Sequence, residues 1–374
     1  VEGLPFFEVD DTLEALGLLG RASRRRLPSG CPVVAVTGSS GKTSTKEMIR
    51  AVLAARWRTH ATTGNLNNLV GVPLTLLAAP DGTEALVVEA GASVPGEIAR
   101  LRRLIEPTIA VITNVGHAHV EGFGSLEGVM REKLSLVDGV PLAVVGTDPP
   151  ALAQEARRRA PTVVAGAAAP AQVRPDHWEL DDVGRAAIAW RGHEVTLPVA
   201  GLHQVDNAML ALAVGEAAGV PAGAAVAALA RVQLPAGRAT LRKLGGLTVI
   251  DDSYNANPSS LRRAVELADW VARRQGRPLA VVVGTMLELG PESDKLHAAL
   301  AEEIAARRPA LVAAVGAFAP AFEARRATLG ARLLVAPDAE ALGPALRAAL
   351  AGNEVVLLKA SRGVALERVL RHLQ

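Results

Sequence analysis

The chain has a single cysteine, Cys31, which excludes an internal disulfide and any thiolate metal cluster and fits a reducing cytoplasm. Aromatic residues make up 3% of the 374 positions, so there is little on which bases could stack, and a net charge of +2 provides no broad basic face. Nucleic acid is not an expected partner. Nor is a membrane: the least polar stretch, 210–230, is mostly alanine but contains Glu216, Gly219 and Pro221, and reads as two short packed helices. The opening VEGLPFFEVDD lacks the basic-then-apolar layout of a secretory signal. It begins at Val1 with no initiator methionine, which predicts a processed start or a fragment.

What is present is a full supply of core-forming residues, 49% hydrophobic against 21% charged, enough for two or three domains in a compact soluble protein. Short β-branched runs alternate with helical patterns: CPVVAVT, EALVVEA, TIAVITN and PLAVV are each followed by a helix. Parallel strands joined by right-handed crossovers account for that alternation. Between about 173 and 199 the pattern changes to short alternating strands with turn residues, a small antiparallel excursion. Two helices then lead to LPAGR at 234–238, where a domain boundary is expected. A second series follows, LTVIDDS, PLAVVVGTM, ALVAAVGAF, RLLVAP and EVVLLKAS, each with a helical pattern behind it. It predicts a Rossmann-like sheet of about five strands. No G-x-G-x-x-G occurs there, so a dinucleotide role has no support. The expected fold class is α/β, with a central, mostly parallel sheet over 13–232 and a Rossmann-like domain over 233–374.

VVAVTGSSGKTSTKEM, from Val33, looks like a phosphate loop with the wrong spacing. The common pattern G-x-x-x-x-G-K-[ST] needs a glycine at 36, where Val36 stands. Even so, a strand, a tight turn through Gly38, Ser39, Ser40 and Gly41, and a helix opening at Lys42 would aim backbone N–H groups and a positive dipole end at an anion. In that frame Lys42 contacts the β- and γ-phosphates and the Thr43 hydroxyl binds Mg2+; a plain β-turn-α connection is the alternative.

Other strand ends, where α/β sheets place their ligands, carry Glu89 and Asn114, with His117 and His119 just beyond. The carboxylate suits Mg2+, whereas a lone histidine is more often a hydrogen-bonded loop residue. Lys133 has Val129, Met130, Leu136 and Val137 at helical-neighbour spacing and so lies on an apolar stripe. Burial would favour its neutral, reactive amine; a snorkelling side chain is the alternative. TTGNLNNLVGVPLTLL clusters Asn65, Asn67 and Asn68, which either present amides to a substrate or cap turns. IDDSYNANPSSL puts Asp251, Asp252, Tyr254, Asn255 and Asn257 directly after a strand, as a site or as an ordinary loop.

In this order the motifs resemble the Mur ligases, ATP-dependent amide-forming enzymes of peptidoglycan synthesis, whose short T-G-[ST]-x-G-K-[ST] loop matches residues 37–43. The resembling stretches TTGNLNNLVGVPLTLL, NVGHAHVEGFGSLEGV, GLHQVDNAML, DDSYNANPSSL, GTMLELG and KASRGVALE lie within 10–370. IDDSYNANP followed by MLELG is similar to the member that joins D-alanyl-D-alanine to a UDP-N-acetylmuramoyl-tripeptide. The resemblance implies that Lys42 and Thr43 hold the phosphates of ATP and one Mg2+, with Glu89 as a further metal ligand. It also implies that His119 binds a second Mg2+ and that Lys133 is carbamylated, turning a buried cation into an anionic oxygen ligand. Lys42, His119 and Lys133 are then the catalytic residues.

Gly38, Ser39, Ser40, Gly41, Ser44 and Asn114 complete the nucleotide cradle by the same resemblance. Asn207 and Arg238 contact the nucleotide, Asp252, Tyr254 and Asn255 face it from the C-terminal half, and Thr63, Asn67 and Asn68 meet the acceptor and muramoyl peptide. The implied chemistry runs through an acyl phosphate, inside a cleft that the C-terminal domain closes about LPAGR. A cytoplasmic monomer is expected. The family's UDP-gripping first domain should precede the loop by on the order of a hundred residues, whereas 36 residues precede Thr37. Residues 1–12 are read as the remnant of that domain and its linker, the UDP-binding domain being largely absent through truncation or as a natural short form. Thr285, Ala360 and Ser135 depart from the family, which has an aspartate, a glycine and an acidic residue there.

Overall fold

The computed structural model describes residues 8–116 and 120–373. Its first sheet has six parallel strands: β1 (Val33–Thr37), β2 (Thr59–Ala61), β3 (Ala85–Glu89), β4 (Ile109–Ile112), β5 (Leu142–Val145) and β6 (Thr162–Val164). Runs such as VVAVT are continuously hydrophobic because both faces of the sheet are covered. Val34 and Val36 share a core with Met48, Ile49 and Val52 of helix Lys42–Ala54, while Val33 and Ala35 share another with Ile98 and Leu101 of helix Glu97–Ile105. Helix His203–Ala217 lies against Lys42–Ala54 and is buried on nearly all sides, as its alanine and leucine content allows. The strand order is β2-β3-β1-β4-β5-β6. The chain therefore leaves β1 to one side and returns on the other at β4, which gathers the loops after β1, β3 and β4 around one switch point.

The antiparallel excursion is β7 (His177–Leu180), β8 (Arg185–Trp190) and β9 (His193–Ala200), whose inward residues Ile188, Trp190, Val195 and Leu197 join the core under helix His203–Ala217. The second large sheet has six strands where about five were expected: β10 (Thr240–Leu244), β11 (Leu247–Asp252), β12 (Leu279–Val283), β13 (Leu311–Val315), β14 (Leu333–Ala336) and β15 (Val355–Lys359). The unexpected β10 pairs antiparallel with β11 across the two-residue turn Gly245–Gly246. Its TLRKL sequence carries two charges and no residue of it is fully buried, so it lacks the apolar run that marks the other strands. The order β10-β11-β15-β12-β13-β14 inserts the last strand between β11 and β12.

Two helical expectations are shortened. Helix Leu126–Leu134 stops before Leu136 and Val137, where Ser135 Oγ donates to the Glu132 carbonyl at 2.7 Å, although both aliphatics are fully buried beyond its end. The segment after β15 forms 3-10 turns, Arg362–Val364 and Leu366–His372, in place of an α-helix. Among the described residues no helix is long and apolar enough to cross a membrane.

Candidate active site

The loop after β1 is held in shape by its neighbours. Gly38 has φ +150°, and a Cβ there would lie 1.9 Å from Thr113 Oγ1; Gly41 has φ +79°, and a Cβ would lie 2.8 Å from Asn207 Oδ1. Glycine at both positions is thus a matter of space as well as torsion. Asn114 clamps the turn from β4: its Oδ1 accepts from the Ser40 N–H at 3.0 Å, and its backbone carbonyl accepts from the Ser39 N–H at 3.0 Å. Thr113 Oγ1 adds a bond to the Ser40 carbonyl at 2.6 Å. The helix that follows opens at Lys42 with its first N–H groups free of intrahelical acceptors. Lys42 folds back over the loop, its Nζ donating to the Gly38 carbonyl at 2.8 Å. Burial lowers the Lys42 pKa from its usual range, with Arg238 acting the same way against Glu89 and Glu288.

Glu89, at the end of β3, is buried between two donors. Thr43 Oγ1 donates to its Oε2 at 2.8 Å and Asn67 Nδ2 to its Oε1 at 2.9 Å. A hydroxyl beside a carboxylate is a hard-oxygen donor set, and it fits Mg2+, which takes few protein ligands and fills its shell with phosphate and water. Asn207, from helix His203–Ala217, accepts from Thr45 Oγ1 at 3.0 Å and donates to Gln204 at 2.9 Å, so it faces the same loop.

Lys133 is 1% exposed, which removes the snorkelling alternative. Burial, reinforced by the Lys42 charge and opposed by Glu132, lowers its pKa to about 7. Its Nζ lies 5.9 Å from the Phe123 ring centre, and no carboxylate pairs with it among the described residues. Glu132 is engaged elsewhere, accepting from the Gly96 and Ile98 N–H groups, each at 2.7 Å, at the start of helix Glu97–Ile105. An amine with a lowered pKa, in an apolar setting and without a carboxylate partner among the described residues, fits a lysine that gains an anionic cap. His119 and His117 lie outside the described residues.

The second sheet supplies the facing wall. β11 and β15 pair in register so that Asp252 and Lys359 end side by side, Nζ to Oδ2 at 2.5 Å, and Lys359 also donates to the Asn255 carbonyl at 2.7 Å. Burial raises the Asp252 pKa against the pull of Lys359 and Arg238. The Arg238 guanidinium stacks 4.2 Å from the Tyr254 ring centre, and its buried Nε has no hydrogen-bond partner. Asn257 caps helix Pro258–Arg274 and reaches the Ser39 carbonyl across the divide at 3.4 Å. Thr285 Oγ1 accepts from the Ala317 N–H at 2.9 Å, so the departure from aspartate leaves a bonded group there.

Between the strand ends of the two sheets lies a cavity of about 570 Å³. It brings together Ser39, Ser40, Gly41, Lys42, Thr43 and Ser44 with Asn67, Asn68, Glu89, Asn114, Asn207, Arg238, Asp252, Tyr254 and Asn255. Gly38 and Lys133 do not reach its surface, and Thr63 is exposed outside it. Asn68 works largely as a cap, its Oδ1 accepting from the N–H groups of Val70 at 3.2 Å and Gly71 at 2.8 Å. Sequence reasoning missed several lining residues, among them Ser93, His203, Lys359 and Arg362. Lys359 was findable, because it closes an apolar strand just as Glu89 does.

Residues 36–215 match the Mur ligase middle domain, and residues 237–362 match the Mur ligase, glutamate ligase domain. A UDP-N-acetylmuramoyl-tripeptide–D-alanyl-D-alanine ligase from Bacillus subtilis (strain 168) is 36% identical over 379 residues, covering 98% of this chain and 80% of its own. The crystal structure of MurF from Acinetobacter baumannii matches with a TM-score of 0.87 at 31% identity, over 99% of this chain and 83% of that one. MurF ligase from Thermotoga maritima, solved in complex with ADP, matches with a TM-score of 0.86 at 30% identity, over 100% and 86%.

Proposed function

Because the chain belongs to the Mur ligase family, we propose that it joins D-alanyl-D-alanine to UDP-N-acetylmuramoyl-tripeptide at the expense of ATP, releasing ADP and phosphate. The observation that carries this reading is the similarity to the Bacillus subtilis ligase over 98% of the chain, which takes in both sheets that wall the cavity. In this reading the free N–H groups at the start of helix Lys42–Ala54 and the Lys42 ammonium hold the β- and γ-phosphates of ATP. Thr43 and Glu89 would hold one Mg2+, and His119 with a carbamylated Lys133 a second; when bound, these ions neutralise charge on the phosphoryl group.

The γ-phosphoryl group passes to the tripeptide carboxylate, giving an acyl phosphate and ADP. The dipeptide amine then attacks the acyl carbon, loses a proton, and expels phosphate as the amide forms. Lys42 contributes by position and charge, with no covalent enzyme intermediate. Asn207, Arg238 and Tyr254 would orient the nucleotide, while Asn67 and Asn68 would meet the acceptor side. An acyl phosphate hydrolyses in water, so the 233–374 half would close on 13–232 about LPAGR before transfer. Nucleotide-linked substrates fit a cytoplasmic enzyme, and a monomer suffices because one chain supplies both walls.

Purified protein given ATP, Mg2+, the UDP-linked tripeptide and D-alanyl-D-alanine should form the amide and ADP in equal amounts. Single amino acids offered in place of the dipeptide should not support turnover. Failure to form ADP with both substrates present would overturn the assignment.

A further inference from the structure

Lys46 stands one turn beyond Lys42 on helix Lys42–Ala54 and is 1% exposed, an unusual depth for lysine. It does not border the cavity. Its Nζ donates to the Thr62 carbonyl at 2.6 Å and pairs with Glu47, whose other oxygen accepts from Arg50 at 2.8 Å. Thr62 follows β2 directly and opens the loop that carries Asn65, Asn67 and Asn68. Its N–H donates to the Val87 carbonyl at 2.9 Å, and its Oγ1 accepts from the Glu89 N–H at 3.0 Å.

These bonds close a ring. Thr43 grips the Glu89 carboxylate from the first turn of the helix, and Lys46, three residues on, grips Thr62, which in turn holds the Glu89 backbone. We propose that Lys46 is a positioning residue for the Thr43–Glu89 pair, fixing through Thr62 where β3 delivers its carboxylate relative to the phosphate loop. The proposal rests on the reading of that pair as the Mg2+ site. A methionine of similar length could fill the same space without a buried charge. What it could not do is restrain the Thr62 carbonyl.

The test is calorimetric titration of ADP into the full chain with and without Mg2+. Lys46→Met and Thr62→Val, the latter removing only the acceptor for the Glu89 N–H, should leave Mg2+-free ADP affinity within about threefold. Both should cut the Mg2+-dependent gain about tenfold or more, the size typical when groups that orient metal ligands are removed. Lys46→Arg should restore part of that gain. A lowered Tm with an unchanged Mg2+-dependent gain in these variants would make Lys46 a packing residue and overturn the proposal. Should Lys46→Met not fold, Thr62→Val decides by the same criterion. Wild-type protein in which Mg2+ does not strengthen ADP binding would overturn the metal reading of Thr43 and Glu89 itself, and the positioning role with it.

Discussion

At the scale of single residues the site depends on groups held where water cannot satisfy them. Lys133 is the extreme case, a buried amine whose pKa falls to about 7, so that much of it is neutral near physiological pH and able to add CO2. Lys133→Ala should reduce turnover at least about 100-fold, leave ADP affinity largely unchanged, and regain part of the rate with added short carboxylates. Initial rates with and without acetate check this, and a variant that keeps wild-type turnover would remove Lys133 from the catalytic set. Gly38 is required by both space and torsion, with φ at +150°. With Thr113 Oγ1 1.9 Å from the position of a Cβ, Gly38→Ala must displace the loop or Thr113. ADP affinity should fall about tenfold or more, corresponding to about 1.4 kcal/mol. Isothermal titration would read it directly.

At the scale of elements, the last turns of helix Thr12–Arg25 are tied to the end of helix Glu97–Ile105. Arg21 and Arg25 pair with Glu106 at 2.7 and 2.5 Å, and Arg24 bonds the Ile105 and Glu106 carbonyls at 2.9 and 2.7 Å. The Arg25 hydrogen bond, with help from Arg21 and against burial, holds the Glu106 carboxyl down to about 2 from an ordinary 4.5. A depressed carboxyl pKa stabilises the fold above pH 4.5, and the contribution is lost as the pH falls toward 2. Arg25 is more than half exposed, so solvent screening limits the gain to about 1 kcal/mol. Glu106→Gln should therefore lower Tm modestly at neutral pH, with the difference from wild type shrinking as the pH drops from 4.5 toward 2. A pH-independent difference would sink this account. Helix Pro258–Arg274 offers a parallel case: Asn257→Ala removes its capping box and should cost about 1 kcal/mol of stability, read as a shift in denaturant midpoint.

At the scale of the whole molecule, two pairs of hydrophobic cores flank the two large sheets, and polar contacts such as Arg263–Asp148 at 3.0 Å join the halves. Halves whose cores meet mainly at Ala200, the β9 residue that joins the second half's core, should unfold with limited coupling. Scanning calorimetry of the ligand-free protein should show two transitions. ADP with Mg2+, bound between the halves, should raise at least the first, by about 2.7 kcal/mol at a ligand concentration 100 times Kd. A single transition whose calorimetric and van't Hoff enthalpies agree would contradict this picture.

Much of this was legible in one dimension. Glycine positions, strand-ending polar residues and helix faces are written locally, because a backbone torsion, a change of period or an apolar stripe depends on a few neighbours in the chain. On that basis Lys42, Thr43, Glu89, Asn114 and the burial of Lys133 could be read before any coordinate was known. Hidden from it was whatever depends on long-range pairing. The insertion of β15 between β11 and β12, which seats Lys359 beside Asp252, is one such feature. The charged edge strand β10, the exclusion of Thr63 from the cavity and the ring from Lys46 through Thr62 to Glu89 are others. Residues 37–43, read alone, determined a strand end, a tight glycine turn and a helix start. Only the meeting of the two sheets' strand ends decided which distant side chains share the cavity with that turn, since sheet order and long-range pairing are set by contacts that no local pattern encodes.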